Sequence, residues 1–201
     1  MTPLFRTPSP LNTGANTLSA TRRHAPARGL AVALAGAALI TLGAKLQIPF
    51  WPVPMTLHTL AVFLVAGALG PRLGLAAMMA YLGAGALGFP VFSGTPERGI
   101  GLAYMVGPTG GYLLGYLLAA GLVGRFAQHR GALGRFAAML AGLALVYGCG
   151  VAWLALVKPA PDLFALGIAP FLLGDLVKIA LATGLLTLAR PGIARLVGWL
   201  K

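Results

Sequence analysis

Six long apolar segments occupy most of this 201-residue chain and restrict it to a small set of folds. They cover residues 29–46, 55–70, 72–88, 109–125, 134–157 and 170–188. A helix needs about 20 mainly apolar residues to cross the roughly 30 Å hydrocarbon core of a bilayer, and several segments approach that length. Because 58% of the residues are hydrophobic and only 9% are charged, a soluble domain is excluded. The sequence therefore predicts an all-α polytopic membrane protein with six transmembrane helices.

The basic residues indicate how these helices are oriented. With the N-terminus inside, eleven cations fall on the cytoplasmic side: Arg6, Arg22, Arg23, Arg28, Arg72, Arg125, Arg130, Arg135, Arg190, Arg195 and Lys201. Only Lys45, Arg98 and Lys158 fall outside. Cytoplasmic loops of membrane proteins carry the excess of Lys and Arg, so we expect both termini to be cytoplasmic. The net charge of +12 thus reflects membrane topology and contact with lipid, and no nucleic acid partner is expected.

The chain divides into three parts. Residues 1–28 are rich in Ser, Thr, Pro, Asn and Arg, which predicts a disordered cytoplasmic tail without a cleaved signal peptide. Residues 29–189 are predicted to form the transmembrane domain, in which short connections such as 70–72 join antiparallel helices. Residues 190–201 mix Arg and Lys with apolar side chains, which favours a tail lying in the inner membrane interface.

The sequence offers few groups for catalysis or metal binding. It contains three acidic residues, a single cysteine, Cys149, and three histidines that are dispersed without metal-ligand spacing. No Ser-His-Asp, Cys-His or paired-carboxylate arrangement is available for acid–base or nucleophilic chemistry. The sequence therefore predicts that the protein is not an enzyme and holds no metal or cofactor.

Two charged residues, Asp175 and Lys178, lie inside the last apolar segment. A charge within a membrane span costs about 2.5–3.5 kcal/mol on insertion scales, so such residues are rare and usually face a cavity. At i and i+3 they lie on one helix face and can pair with each other. One interpretation is a structural ion pair that ties the last helix to its neighbours. The other is a substrate site that offers a donor and an acceptor.

Two outer loops lie on the same side of the membrane as this pair. The first outer loop, residues 49–56, contains three prolines and cannot be a regular helix. It is either an interfacial turn or a non-helical lid over a cavity, because irregular backbone at membrane depth is tolerated only where protein or water covers it.

The second outer loop, residues 89–108, is rich in glycine but matches no nucleotide-binding motif. Its cation Arg98 either pairs with Glu97 or binds an anionic substrate through a bidentate guanidinium. Thr109, which follows the loop, is a candidate cap for the next helix.

Small residues recur at a spacing of four, which allows helices to approach closely. The pairs are Ala31/Ala35, Ala33/Ala37 and Gly111/Gly115.

Four motifs in register carry a family resemblance. They read VPMTLHT at 53–59, GFPVFSG at 88–94, GPTGGYL at 107–113 and GDLVK at 174–178. Together they closely resemble BioY, the biotin-specific substrate-capture (S) component of energy-coupling-factor (ECF) vitamin transporters. The resemblance covers about residues 30–190.

The resemblance implies a six-helix S component of the bacterial cytoplasmic membrane that binds biotin near the outer face. The first and third interhelical loops, which here are the two outer loops, form the site with the last helix. It also implies partners, namely a transmembrane coupling subunit and two cytoplasmic ATPases, which dock on an Ala-xxx-Ala face of the first helix. Ala31/Ala35 or Ala33/Ala37 match that face.

Individual positions follow from the same resemblance. The family's Asp-x-x-Lys corresponds to Asp175 and Lys178, and its loop arginine corresponds to Arg98. The remaining candidates for contact with biotin are Trp51, Thr56, Phe92 and Tyr112, with Tyr104 as an alternative to Tyr112. His58 departs from the pattern because the family is expected to have Gln there, and it is left outside the predicted set.

Three other functions stay open on the sequence alone. The same architecture can serve another vitamin, since a fold does not fix its ligand. An ion-coupled secondary carrier would use Asp175 as its titrating group. A structural membrane anchor would bind no small molecule.

Overall fold

The computed structural model describes residues 15–49, 55–157, 161–189 and 192, with side chains from residue 27 onward. Within these ranges seven helices and two short strands occur: α1 (Ala15–Lys45), β1 (Gln47–Ile48), β2 (Met55–Thr56), α2 (His58–Ala86), α3 (Gly101–Met105), α4 (Gly110–Ala127), α5 (Ala132–Val157), α6 (Leu163–Gly167) and α7 (Ala169–Leu188). Trp51, Lys158 and most of the 190–201 segment lie outside the described residues.

Five helices in the described residues are long and apolar enough to cross a membrane. They include residues 27–45, 58–86, 110–127, 132–157 and 169–188. These bounds agree closely with the predicted apolar segments, except that 55–70 and 72–88 are joined in one helix. The predicted helical membrane architecture is therefore confirmed, with five candidate spans in the described residues.

The helix α2 is interrupted at Gly70. This glycine has φ 80° and ψ −179°, and Pro71 follows it. The rings of His58 and Tyr81 lie 5.3 Å apart, whereas 23 residues of straight helix would separate them by about 35 Å. Gly74 likewise lies against Ala66. The chain therefore reverses at Gly70, as the short 70–72 connection predicts, and the two halves of α2 lie side by side.

The first helix begins earlier than the sequence predicts. The composition predicts a disordered tail up to residue 28, whereas α1 starts at Ala15. Alanine and leucine in this stretch favour helix, and adding a residue to an existing helix is easier than nucleating one. Residues 15–28, which the composition assigns to the tail, are thus part of α1.

Glycines on α4 bring it into close contact with α5. A Cβ on Gly115 would lie 2.6 Å from the Val146 Cα, and one on Gly111 would collide with Trp153 and the Cys149 carbonyl. The predicted close approach through Gly111 and Gly115 is therefore confirmed. Large apolar side chains such as Leu114 and Leu118 of the same helix are exposed, as expected of a lipid-facing surface.

We expect Gly115→Ala to lower the free energy of unfolding by about 1–3 kcal/mol, the usual cost of overpacking a core. The atoms it meets belong to the α5 backbone and cannot rotate away. Gly148→Ala in α5 is the matched control, because nothing lies within 4 Å of its Cβ position. Thermal unfolding in detergent measures both variants, and equal stability of the two would contradict this packing.

A buried arginine ties the helix ends farthest from the outer loops. Arg135 Nε donates to the Ala127 carbonyl at 3.2 Å, and its Nη1 donates to Thr187 Oγ1 at 2.9 Å. These bonds join the end of α4, the start of α5 and the end of α7. The predicted cytoplasmic cation at this position is therefore part of the interior of the bundle.

Candidate functional site

The first three turns of α7 place Asp175 and Lys178 in the interior. Pro170 lies in the first turn, where its missing N–H leaves no helical bond unmade. Lys178 Nζ donates to Asp175 Oδ1 at 2.9 Å, and both side chains are buried. The pairing predicted from the i, i+3 spacing is confirmed.

A tyrosine from α5 completes this network. The Tyr147 hydroxyl donates to Asp175 Oδ2 at 2.7 Å, so both carboxylate oxygens accept a bond. Buried ion pairs need such additional hydrogen bonds to offset the loss of hydration. The bond thereby fixes α5 to α7 inside the bundle.

The network retains unused hydrogen-bonding capacity. An ammonium group has three N–H donors, and in the described part of the chain Lys178 directs one of them to Asp175. The carboxylate oxygens each have a second acceptor position. The pair is therefore able to bind a ligand that has both an N–H donor and a carbonyl acceptor.

Aromatic residues from α2 and α4 lie beside the pair. The His58 ring is 4.5 Å from that of Tyr116 and 5.3 Å from that of Tyr81. The Tyr116 hydroxyl shares a 2.7 Å hydrogen bond with Thr59 Oγ1. The Lys178 charge acts on the His58 ring, and the Asp175 charge acts on the Tyr116 hydroxyl. The interior at this level is thus both polar and aromatic.

The first outer loop contacts the last helix directly. Strands β1 and β2 pair antiparallel, with Gln47 opposite Thr56 and Ile48 opposite Met55. The Met55 thioether lies on Gly174, at a point where any Cβ would collide with it. Thr56 is half-buried and follows Met55 directly, as Asp175 follows Gly174. The predicted convergence of the first loop and the last helix is seen in this contact.

The second outer loop is anchored by Phe92. Its ring is fully buried over Gly85, where a Cβ would collide with the Cζ end of the ring. It makes an edge contact with Tyr81 at 5.4 Å and stacks on Tyr104 at 4.8 Å. The Tyr104 hydroxyl donates to the Ser93 carbonyl at 2.8 Å, which fixes this loop against α3. Phe92 therefore joins the loop to the aromatic group around His58.

Lys45, at the end of α1, holds the same loop from the other side. Its Nζ donates to the Thr95 carbonyl at 2.8 Å and to Thr95 Oγ1 at 2.7 Å. A cation in the last turn of a helix is also favoured by the helix dipole. The sequence identifies Lys45 only as an outer cation, because a contact between residues 50 positions apart has no local signal.

Arg98 lies at the outer surface of this loop. Its side chain passes over Gly94, which has a positive φ of 70°. Arg98 and Glu97 are both exposed, and no ion pair between them occurs among the described residues. The alternative in which Glu97 occupies the guanidinium is therefore not seen, and Arg98 has donors available for an anion.

Tyr112 makes a hydrogen bond within the protein, and Thr109 lacks the capping bond that the sequence predicts. Tyr112 packs its ring on Gly150 and donates its hydroxyl to the Gly167 carbonyl at 2.9 Å, which anchors α6. Thr109 occupies the position before α4 but makes no side-chain capping bond, because its backbone is helical there. The capping prediction for Thr109 is therefore wrong.

The two predicted docking pairs on α1 face opposite ways. Ala33 and Ala37 are 3% and 8% exposed and lie in the interior of the bundle. Ala31 and Ala35 are exposed. A strip that docks a partner must face outward, so Ala31 and Ala35 are the pair that remains a candidate for docking.

Comparison with known proteins identifies the family. The model of the BioY family matches residues 15–195. The Thermotoga maritima protein named biotin transporter BioY is 40% identical over 147 residues, covering 72% of this chain and 85% of that protein. BioY2 of Lactococcus lactis subsp. cremoris, named a biotin transporter, is 36% identical over 152 residues, covering 74% of this chain and 82% of that protein.

A solved structure shares the fold. It is the crystal structure of an S-component for biotin from an ECF-type ABC transporter. The two chains superpose with a TM-score of 0.66 and 27% identity, over 90% of this chain and 95% of the other. From the family match and these relatives, we conclude that this chain belongs to the BioY family.

Proposed function

We propose that this protein takes up biotin across the cytoplasmic membrane as the substrate-binding S component of an ECF transporter. The names of its relatives and the S-component likeness support the assignment. The protein itself carries out no catalysis, and ATP hydrolysis in partner subunits drives transport. Biotin is the transported ligand and not a cofactor.

The observation that carries this proposal is the buried network of Asp175, Lys178 and Tyr147 beneath the two outer loops. Biotin has a ureido ring with two N–H donors and one carbonyl, fused to an apolar ring and followed by a carboxylate on a flexible chain. The carboxylate–ammonium pair matches the ureido group in donors and acceptors. Phe92 and the neighbouring aromatic rings match the apolar bicycle, and Arg98 matches the carboxylate.

In the membrane, we infer six spanning segments with both termini cytoplasmic. The reversal at Gly70 supports two separate crossings within α2. Eleven cations on one side against three on the other support the orientation. The Asp175–Lys178 pair then lies near the outer face, where biotin enters.

The exposed face of α1 around Ala31 and Ala35 is the proposed docking surface for the coupling subunit, which joins two ATPases. Small side chains permit close helix contact within the bilayer. The exposed leucines of the remaining helices then contact lipid.

Equilibrium binding of radiolabelled biotin to the purified protein tests the proposal. Saturable binding that unlabelled thiamine and riboflavin do not displace is expected. Displacement by another vitamin at a lower concentration than biotin would assign the protein to that vitamin. No saturable binding would leave only an anchoring role.

Uptake in cells separates the S component from an ion-coupled carrier. Loss of the ATPases is expected to abolish biotin uptake at low concentration. Uptake that persists without the ATPases but stops with a protonophore would favour a carrier that titrates Asp175.

Biotin amide is expected to bind at least about tenfold more weakly than biotin, because it cannot form the charge-assisted bond to Arg98. In Arg98→Gln the two ligands should bind alike, since the guanidinium that distinguishes them is gone. Arg72→Gln is the control, because Arg72 is an exposed arginine on the opposite side of the membrane. Equal affinity of the wild type for biotin and its amide would rule out the Arg98–carboxylate contact.

A further inference from the structure

Two buried polar atoms in the described part of the chain have no hydrogen-bond partner. They are Nε2 of His58 and the hydroxyl of Tyr81, whose residues are 7% and 1% exposed. Buried polar groups are nearly always hydrogen-bonded, and leaving one unpaired is costly. Two such atoms at one place indicate that another molecule completes their bonding.

The two unpaired atoms belong to rings in contact with each other. The centroids of His58 and Tyr81 are 5.3 Å apart, and the Lys178 charge acts on the imidazole. Tyr81 also contacts Phe92, which holds down the second outer loop. The two rings therefore connect the surroundings of Lys178 with Phe92 of the second outer loop.

The other tyrosines of this interior are already engaged. Tyr147 bonds Asp175, Tyr116 bonds Thr59, and Tyr104 bonds the Ser93 carbonyl. The hydroxyl groups of these three tyrosines thus have hydrogen-bond partners within the protein. This contrast distinguishes Tyr81 and His58 from residues that only maintain the fold.

We propose that His58 and Tyr81 form a second polar wall of the biotin site and bind the ureido ring opposite the Asp175–Lys178 pair. The inference rests on the proposed function and adds two residues to its site. The Tyr81 hydroxyl donates to the ureido carbonyl oxygen. His58, neutral and protonated on Nδ1, accepts one ureido N–H at Nε2.

The ring needs contacts from more than one side. A cyclic urea has two N–H groups that point away from each other and a carbonyl oxygen with two lone pairs. Asp175 and Lys178 lie one helical turn apart on a single face of α7 and reach the ring from one direction. His58 and Tyr81, on the two halves of α2, supply an acceptor and a donor from another element.

Tyr81→Phe and His58→Phe test the proposal in purified protein, with radiolabelled biotin binding and thermal unfolding without ligand as the two readouts. Each variant is expected to weaken biotin binding by about fivefold to tenfold, the range for one lost hydrogen bond. His58→Gln should bind within about threefold of wild type, because its amide again supplies a donor and an acceptor.

Stability without ligand separates this role from a structural one. Tyr81→Phe removes a hydroxyl without a protein partner among the described residues, so the unfolding temperature should stay unchanged or rise. Tyr116→Phe is the matched control, because it breaks the bond to Thr59 and should lower the unfolding temperature. A lower unfolding temperature for Tyr81→Phe with unaltered biotin affinity would assign Tyr81 to the fold and overturn the proposal.

Desthiobiotin, which keeps the ureido ring and lacks the sulfur, identifies the ligand group involved. Tyr81→Phe should weaken its binding by the same factor as that of biotin. If Tyr81→Phe weakens the binding of biotin but not that of desthiobiotin, the hydroxyl contacts the sulfur and not the ureido group, which overturns the proposal. Unchanged affinity for both ligands would mean that these atoms bind water only, which also overturns it. Failure of the wild type to bind biotin would instead contradict the proposed function itself.

Discussion

Lys178→Met is expected to abolish biotin binding and to destabilise the protein by about 3–5 kcal/mol. The substitution leaves the buried Asp175 carboxylate with the Tyr147 hydroxyl as its one remaining partner among the described residues, and without a neutralising charge. It also removes the N–H donors that remain for the ureido carbonyl. We expect biotin affinity to fall more than about a hundredfold, because the charge-assisted bonds from Lys178 to the ureido carbonyl are lost and the geometry of the site is lost as well.

The double variant Asp175→Asn with Lys178→Met separates stability from binding. Replacing both members of a buried ion pair is often neutral, because no unpaired charge is left, and Asn still accepts from Tyr147. Thermal unfolding should return close to the wild-type value while biotin binding stays lost. If the double variant regains stability and also binds biotin normally, the pair only ties α7 to α5.

Gly85→Ala is expected to weaken biotin binding at least about tenfold and to lower stability by about 1–3 kcal/mol. The added methyl group would collide with the Cζ end of the Phe92 ring, which is fully buried. Phe92 must then leave its position, and its ring contacts with Tyr81 and Tyr104 are lost. The second outer loop would lose this aromatic anchor and keep only its hydrogen bonds, such as those from Lys45 to Thr95.

Gly83→Ala is the matched control for this variant. It lies two residues earlier in the same helix, and nothing lies within 4 Å of its Cβ position. Radiolabelled biotin binding and thermal unfolding should therefore leave Gly83→Ala near wild type. Normal biotin affinity in Gly85→Ala would show that the position of Phe92 does not matter for the site.

Local spacing is enough to predict contacts within one helix. The i, i+3 relation alone predicts that Asp175 and Lys178 pair, and their charged atoms lie 2.9 Å apart. The spacing of Gly111 and Gly115 likewise predicts a close helix approach. Both predictions depend on helix periodicity, which a sequence displays directly.

Contacts between distant segments have no such signal. The Tyr147–Asp175 bond joins residues 28 positions apart, and the Lys45–Thr95 bonds join residues 50 apart. The outward face of α1 is ambiguous in the sequence for a related reason. Because the spanning part of that helix is apolar on all sides, its periodicity does not tell Ala31 and Ala35 from Ala33 and Ala37.

The unpaired atoms of His58 and Tyr81 illustrate the same limit. The sequence around a tyrosine in an apolar helix does not show whether its hydroxyl has a hydrogen-bond partner. That property depends on which neighbours fold next to it, and the reversal at Gly70 decides this by placing the two halves of α2 together.

The most direct test of the proposed biotin site is an experimental structure of the purified protein with biotin bound. We predict the ureido ring within hydrogen-bonding distance of Asp175 and Lys178, beneath the second outer loop, with the carboxylate directed toward Arg98. Biotin bound elsewhere, with the Asp175–Lys178 pair making no contact to it, would contradict this site.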